Sequence, residues 1–253
     1  MTKEQLGVED YKKMYAYDVP YDSVNAIVPI AVRLVKPKSV VDVGCGLGAW
    51  LKAFMNHGIT DVLGIDGLWQ KDRLVIPTKN FVAHDLTQPL ELGRRFDLAV
   101  CLEFVEHLEK EHSNRTVKML TELSPVVLFS AAIPFQGGDH HANEQWPSYW
   151  AGLFAQYDYV PVDAVRGELW TNDKVEPCYV QNTLFFVGSK VLERYPMLFA
   201  AYKLTNPNML AIIHPRTYLE KCVATVQPYA IVRKVCRKIL GLLYNKENPS
   251  RKT

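Results

Sequence analysis

Val40-Val41-Asp42-Val43-Gly44-Cys45-Gly46-Leu47-Gly48-Ala49-Trp50 decides the fold of this 253-residue chain. A β-branched run of strand length ends in a glycine-rich turn, and the residues after the turn, Leu47 to Asn56, read as a helix. Glycines there let the backbone approach a ligand that a side chain would exclude. The first turn of the helix adds unpaired N–H groups that suit a polar or anionic group. Taken alone the stretch is ambiguous, because Gly44, Gly46 and Ala49 also satisfy the G-x-G-x-x-G/A pattern of dinucleotide sites.

Outward from this turn, strand and helix signals alternate. Tyr21 to Lys36 has apolar residues at helical spacing, with Pro29 expected as a kink or a late start. Strands are expected at Ser39 to Val43, Asp61 to Asp66, Asn80 to His84, Phe96 to Leu102, Pro125 to Ala132, Tyr159 to Ala164 and Val180 to Val187. Glu111 to Leu123 and Pro147 to Gln156 read as helices. Such alternation implies a mostly parallel sheet covered on both faces. The expected division is a domain at 1–189, with a helical lead-in, and a basic, mainly helical extension at 190–253.

The acids that close successive strands break the ambiguity. Asp42 stands two residues before the first glycine, Asp66 ends the second strand, Asp85 the third, and Glu103 follows the fourth. A dehydrogenase uses Gly44, Gly46 and Asp66 but has no particular need of Asp42, Asp85 and Glu103 together. With Val-Asp-Val-Gly-Cys-Gly-x-Gly as its first motif, the chain resembles the class I S-adenosylmethionine-dependent methyltransferases over about Tyr21 to Gly188. The resemblance implies a Rossmann-like α/β fold with a mostly parallel seven-stranded sheet. It also implies S-adenosylmethionine as cofactor, with Asp42, Gly44, Gly46 and Gly48 around its methionine part and Asp66 on its ribose. Asp85 and Leu86 would meet the adenine, and Leu102 and Glu103 would line the floor.

The acceptor half lies after the fifth strand, where the ligand crevice of an open α/β sheet opens. Gly137-Gly138-Asp139-His140-His141-Ala142-Asn143-Glu144-Gln145-Trp146-Pro147 and the later Arg166, Trp170, Tyr179, Gln181 and Asn182 resemble a subset of bacterial methyltransferases that sit among polysaccharide synthesis functions. That resemblance implies O-methylation of a saccharide or nucleotide sugar, with Asn143, Gln145, Trp146, Arg166, Trp170, Tyr179, Gln181 and Asn182 as its contacts. An aliphatic hydroxyl does not ionise at neutral pH, so a general base is expected. His141 is the first candidate, His140 the second and His107 the third. Asp139, His140, His141 and Glu144 are plausible metal ligands, yet their spacing matches no strong metal motif, and no metal is expected. Trp146 and Trp150, four residues apart, equally suit a helix face buried in the core. Methylation of another small molecule, or a non-catalytic cofactor-binding subunit, is the alternative.

Composition narrows the rest. With 48% hydrophobic and 22% charged residues the chain is ordinary globular material. Met1 to Asp10 is polar and acidic and does not read as a secretory signal, so a cytoplasmic location is expected. Five cysteines without a CxxC pair fit reduced thiols. The net charge of +2 hides an asymmetry: residues 190–253 carry 12 Lys+Arg against 3 Asp+Glu, and the remainder 17 against 24. An acidic body argues against nucleic acid as a partner. In the tail, Tyr229 to Tyr244 places Ile231, Val232, Val235, Ile239, Leu240 and Leu243 on one face and basic residues elsewhere. That pattern fits packing on the domain or on a second subunit, and it also fits peripheral contact with an anionic membrane.

Overall fold

The computed structural model describes residues 20–223. Seven strands form one sheet in the order β3-β2-β1-β4-β5-β7-β6, with β1 at Ser39–Val43, β2 at Asp61–Asp66, β3 at Phe81–Ala83 and β4 at Leu98–Leu102. β5 is Val126–Ser130, β6 Tyr159–Val162 and β7 Leu184–Gly188. The first five run parallel, and β7 lies antiparallel between β5 and β6. A dinucleotide-binding sheet keeps the order 3-2-1-4-5-6 with every strand parallel, so the inserted β7 separates this fold from that one. The fold is the Rossmann-like α/β architecture of class I methyltransferases.

Alternation along the strands builds both core layers, since successive side chains point to opposite faces. Val40, Leu98, Val100, Leu128 and Phe185 face one side, where helices Tyr21–Val35 and Ala49–Asn56 contribute Ile27, Val28, Leu51 and Phe54. Val41, Ile65, Ala99, Cys101, Phe129 and Phe186 face the other, against Val117 and Leu120 of Ser113–Leu123 and Trp150 and Phe154 of Pro147–Ala155. β1, β4 and β5 are buried along their whole length, which accounts for their unbroken apolar runs. Pro161 is tolerated because β6 is an edge strand.

β1 is paired on either side by β2 and β4, which leave it in opposite directions across the sheet. The strand order reverses there, so the crevice opens beyond the carboxyl ends of β1 and β4. The glycine turn, Asp66, Glu103 and the loop after β5 all lie at the carboxyl ends of their strands there.

Two expectations are corrected. Pro29 does not start the first helix, which is helical from Tyr21 to Val35 with Pro29 inside it on the exposed side. Val180 to Asn182 belong to a short helix, Pro177–Asn182, and the strand starts only at Leu184. Pro177 occupies the first helical turn, where its missing N–H costs nothing, and the helix carries Gln181 and Asn182 to the crevice instead of into the ladder. The first compact unit runs on to Ile212: Leu192 and Leu198 are buried in the first core layer, and Arg166 Nη1 donates to Leu210 O at 2.6 Å. Of the second unit, residues 215–223 are helical; the amphipathic stretch at 229–244 lies outside the described residues. Among the described residues no helix is long and apolar enough to cross a membrane.

Candidate active site

The glycine turn holds its shape through backbone conformations that only glycine adopts freely. Gly44, Gly46 and Gly48 have φ of 76°, 53° and 84°. At Gly44 an added Cβ would stand 2.2 Å from the Phe104 ring, and at Gly48 2.8 Å from Ile76, whereas at Gly46 it would meet nothing within 4 Å. Two glycines therefore serve close packing, and the middle one borders open space. Gly44 N and Cys45 N donate to Ile65 O at 2.9 and 3.2 Å, which ties the turn to the end of β2.

Asp66, at the end of β2, accepts from Gly46 N at 2.7 Å and from its own neighbour Gly67 N at 2.6 Å. Burial lifts its pKa to about 6 against the pull of those two donors. Asp42 is 1% exposed, and its Oδ2 has no hydrogen-bond partner. Burial, with the Asp66 carboxylate second, pushes its pKa well above the usual carboxylate range. An unpartnered buried carboxylate is costly until a cation or donor reaches it.

Across the crevice, Glu103 sits at φ 47° just past β4, a conformation that non-glycine residues adopt at a cost. Its N–H is held by Ser130 O at 3.1 Å and Ser130 Oγ at 3.0 Å. Its carboxylate accepts from Gln136 Nε2 at 2.8 Å and from Asn182 Nδ2 at 3.2 Å. Gln136 Oε1 in turn accepts from Asn182 Nδ2 at 2.9 Å and Gln181 Nε2 at 3.2 Å. Burial raises the Glu103 pKa, with these amides opposing. One network thus joins β4, the loop after β5 and the helix before β7.

The loop after β5 is organised by Glu144. Its Oε2 accepts from Phe135 N and its Oε1 from Gly137 N, both at 2.7 Å, and Oε1 also lies 3.0 Å from His141 Nδ1. With Nδ1 bonded there, Nε2 is left for a proton or a ligand. A Cβ on Gly138 would stand 2.3 Å from that Nε2, so only glycine at 138 admits the ring. The loop is docked by Ala142 N and Asn143 N, which donate to Glu106 O at 2.8 and 3.0 Å.

The methyltransferase domain model matches residues 15–167, more than half of the chain and the whole span from the first helix through the acceptor loop. The chain belongs to the methyltransferase domain family. Among solved structures the methyltransferase is similar to the plantazolicin methyltransferase BpumL in complex with SAH (14% identity, 72% of this chain and 87% of that one, TM-score 0.49). It is similar also to an O-methyltransferase family protein from Burkholderia thailandensis (11%, 72% and 58%, 0.48), and to the methyltransferase domain of bacterial CtHen1 (20%, 67% and 98%, 0.47). No curated protein sequence matches.

A methyltransferase of this fold draws its methyl group from S-adenosylmethionine. The residues present fit that cofactor: an orphaned buried carboxylate at Asp42 suits its amine, Asp66 suits a ribose diol, and Gly46 leaves room beside both. When bound, the cofactor supplies an electrophilic methyl group on a sulfonium. Asp85 is exposed, its Oδ1 accepting from Thr87 N at 2.9 Å and Thr87 Oγ1 at 2.7 Å. Partial burial works to raise its pKa, but the Thr87 bonds with His84 and His112 outweigh it, and the net shift is downward. Leu86 and Leu102 are buried in the second and first core layers.

Of the acceptor residues read from the methyltransferase's sequence, Gln181 and Asn182 join the Glu103–Gln136 network, His141 pairs with Glu144, and Trp146 is 39% exposed. His140 is exposed, with φ 61°. Others are committed elsewhere. Asn143 is buried and donates to Ser113 Oγ at 2.9 Å, while its Oδ1 accepts from Gln145 Nε2 at 3.1 Å. Arg166 is 2% exposed and bridges Asp163, Gln181 O and Leu210 O. Tyr179 packs edge-on against Trp50 at 5.3 Å, Trp170 packs against the first core layer, and Trp150, 1% exposed, is core. Arg166, Tyr179 and Asn143 are thus buried and held by protein partners. Sequence reading missed Gln136, the hub of the network, and gave no part to Glu106; neither occupies a position that a spacing rule singles out.

Proposed function

We propose that this methyltransferase moves a methyl group from S-adenosylmethionine to a hydroxyl of a saccharide or nucleotide sugar. The observation that carries the reading is the His141–Glu144 pair, an imidazole fixed through Nδ1 by a carboxylate that is itself pinned by two backbone N–H groups. An aliphatic hydroxyl must lose its proton as it attacks, and a positioned imidazole suits that step. His141 takes the proton on Nε2, and Glu144 holds the ring and stabilises the imidazolium. Glu103, Gln136 and Asn182, at the same end of the sheet, offer acceptors and donors of the kind that orient neighbouring hydroxyls, and Trp146 offers an aromatic face at the rim. The acidic balance of residues 1–189 favours a neutral or cationic acceptor region over a polyanion.

The test offers the purified protein, with S-adenosylmethionine, a panel of nucleotide sugars and short oligosaccharides beside peptides and RNA, and locates the added methyl by NMR. A methoxy signal on a sugar carbon is expected. Transfer to peptide or RNA alone would overturn the saccharide reading, and transfer to nitrogen or carbon would overturn the hydroxyl.

A further inference from the structure

Glu106 is 0% exposed. Its Oε1 accepts from Ala132 N at 3.2 Å, and its Oε2 accepts from no donor. Three residues earlier, Glu103 has donors on both oxygens. A buried carboxyl oxygen left in this way calls for a proton or a cation. Two kinds of group surround the carboxyl: the Glu103 carboxyl, which adds to burial in pushing the Glu106 pKa well up, and a pair of imidazoles, one oxygen of Glu106 and one ring nitrogen each of His107 and His141 all lying within 4.8 Å of one another. The two rings meet edge to face, 5.0 Å apart at 83°. A proton shared with Glu103 would answer the carboxyl but would not account for two imidazole nitrogens gathered within 4.8 Å of the same carboxylate oxygen.

The surroundings fit a ligand set. Glu106 and His107 share the tight turn Val105–His107 after β4, and the Glu106 carbonyl docks the loop that brings His141 in. Behind His141 stands the Glu144 carboxylate, the arrangement by which metal-ligating histidines are oriented.

We infer that Glu106, His107 and His141 form a binding site for a divalent first-row transition-metal cation. One carboxylate oxygen and two imidazole nitrogens favour Mn²⁺, Fe²⁺, Co²⁺ or Zn²⁺ over Ca²⁺ and Mg²⁺, which take mostly oxygen. Bond lengths of about 2.0–2.2 Å require the three side chains to draw in by a fraction of an ångström. Three protein ligands leave coordination positions for water or for an acceptor hydroxyl. The inference rests on the hydroxyl reading and deepens it. Without the ion, His141 is the base; with it, His141 is a ligand and the ion acidifies the bound hydroxyl. The hydroxyl proton then leaves to solvent, the oxygen forms the bond to the methyl carbon, and the sulfonium S–C bond breaks with its electron pair returning to sulfur.

The test uses the full chain, stripped with chelator and titrated with Mn²⁺ by calorimetry and by the electron paramagnetic resonance of free Mn²⁺, with neither cofactor nor acceptor present. One ion per chain is expected. Glu106→Gln, which keeps shape and removes charge, His107→Asn and His141→Asn should each weaken binding at least about tenfold, and Glu144→Gln by about 10–100-fold, as loss of an orienting carboxylate does. Circular dichroism melts check that each variant folds, and His141→Asn, on the loop, decides the matter if the buried variants do not. No Mn²⁺ or Zn²⁺ binding by the wild-type protein, or binding equal in wild type and folded variants, would overturn the inference. Because binding is read without transfer, that failure leaves the free His141 base standing. Conversely, site-dependent binding with no transfer to any hydroxyl would sink the functional reading alone.

Discussion

The two walls of the crevice are built by different means. On the β1–β2 wall the working parts are backbone conformations and two carboxylates: glycines at positive φ, and Asp66 clamped by Gly46 and Gly67 N–H groups. On the β4–β5 wall they are side chains that bond to one another, Glu103 with the distant Gln136 and Asn182, and His141 with Glu144 of its own loop. The contrast makes the two walls separable by mutation.

His141→Ala should separate them most sharply. Turnover is expected to fall by about 10²–10⁴-fold, the usual worth of a positioned base, while S-adenosylmethionine affinity measured by calorimetry stays within a factor of about two, because the ring lies on the loop and not on the glycine turn. Raising the pH should restore part of the rate, as hydroxide replaces the lost base. A parallel loss of cofactor affinity would mean that the walls are not independent.

The same contrast explains what could be read from the sequence. β1, β2 and the acids Asp42 and Asp66 were legible because a strand, a turn and a strand end are set by residues a few positions apart, and positive φ restricts the choice of residue. The end of β4 was legible as a position but not as chemistry, since Glu103 and Glu106 differ in role only through partners 26–79 residues away. The roles of Arg166, Tyr179, Gln181 and Asn182 were not legible because polar and aromatic side chains serve binding and interior bracing equally well, and all four are buried. The helix Pro177–Asn182 was hidden because Tyr179, Val180 and Phe185 to Val187 form a β-like run, in which only Pro177 marks a helical start.

Asp66→Ala should weaken S-adenosylmethionine binding by about 1.5–3 kcal/mol, the range for hydrogen bonds to a charged group, and leave the rate at saturating cofactor little changed. The readout is a calorimetric titration beside a saturation curve. A loss confined to turnover would place Asp66 on the wrong wall.

Titration gives a gentler version of that substitution. With its pKa raised to about 6, Asp66 is largely ionised at pH 7.5 and largely protonated at pH 5, and the ionised form is the one that accepts from a ribose diol. Cofactor affinity should therefore fall about tenfold between pH 7.5 and pH 5, the fraction of competent protein setting the apparent constant. Asp42, raised further by burial, acts in the same direction. The stability of the cofactor-free protein should move the opposite way. The folded chain holds the Asp66 proton more tightly than the unfolded chain does, so that stabilisation is present below about pH 4 and is lost as pH rises through 6. Calorimetry and thermal melts across this window measure the two slopes, and slopes of equal sign would contradict the raised pKa.

The smallest effect is expected at Asp85, which tests how far the cofactor wall extends. Its carboxylate is exposed and already accepts two bonds from Thr87, so one oxygen is spoken for and the other faces solvent. An adenine amino group donating to that second oxygen would exchange a water bond for a protein bond in high dielectric, and Asp85→Ala should cost about 0.5–1.5 kcal/mol of cofactor affinity. Loss of the Thr87 turn alone could give a similar figure, so the single substitution does not discriminate. A double-mutant cycle does: S-adenosylhomocysteine and its inosine counterpart, which replaces the amino donor by a carbonyl, are each titrated into wild type and variant. If Asp85 receives the adenine, the wild-type protein prefers the amino compound and the variant loses the preference. If the preference survives, Asp85 only closes the β3 turn, and the wall ends at Asp66.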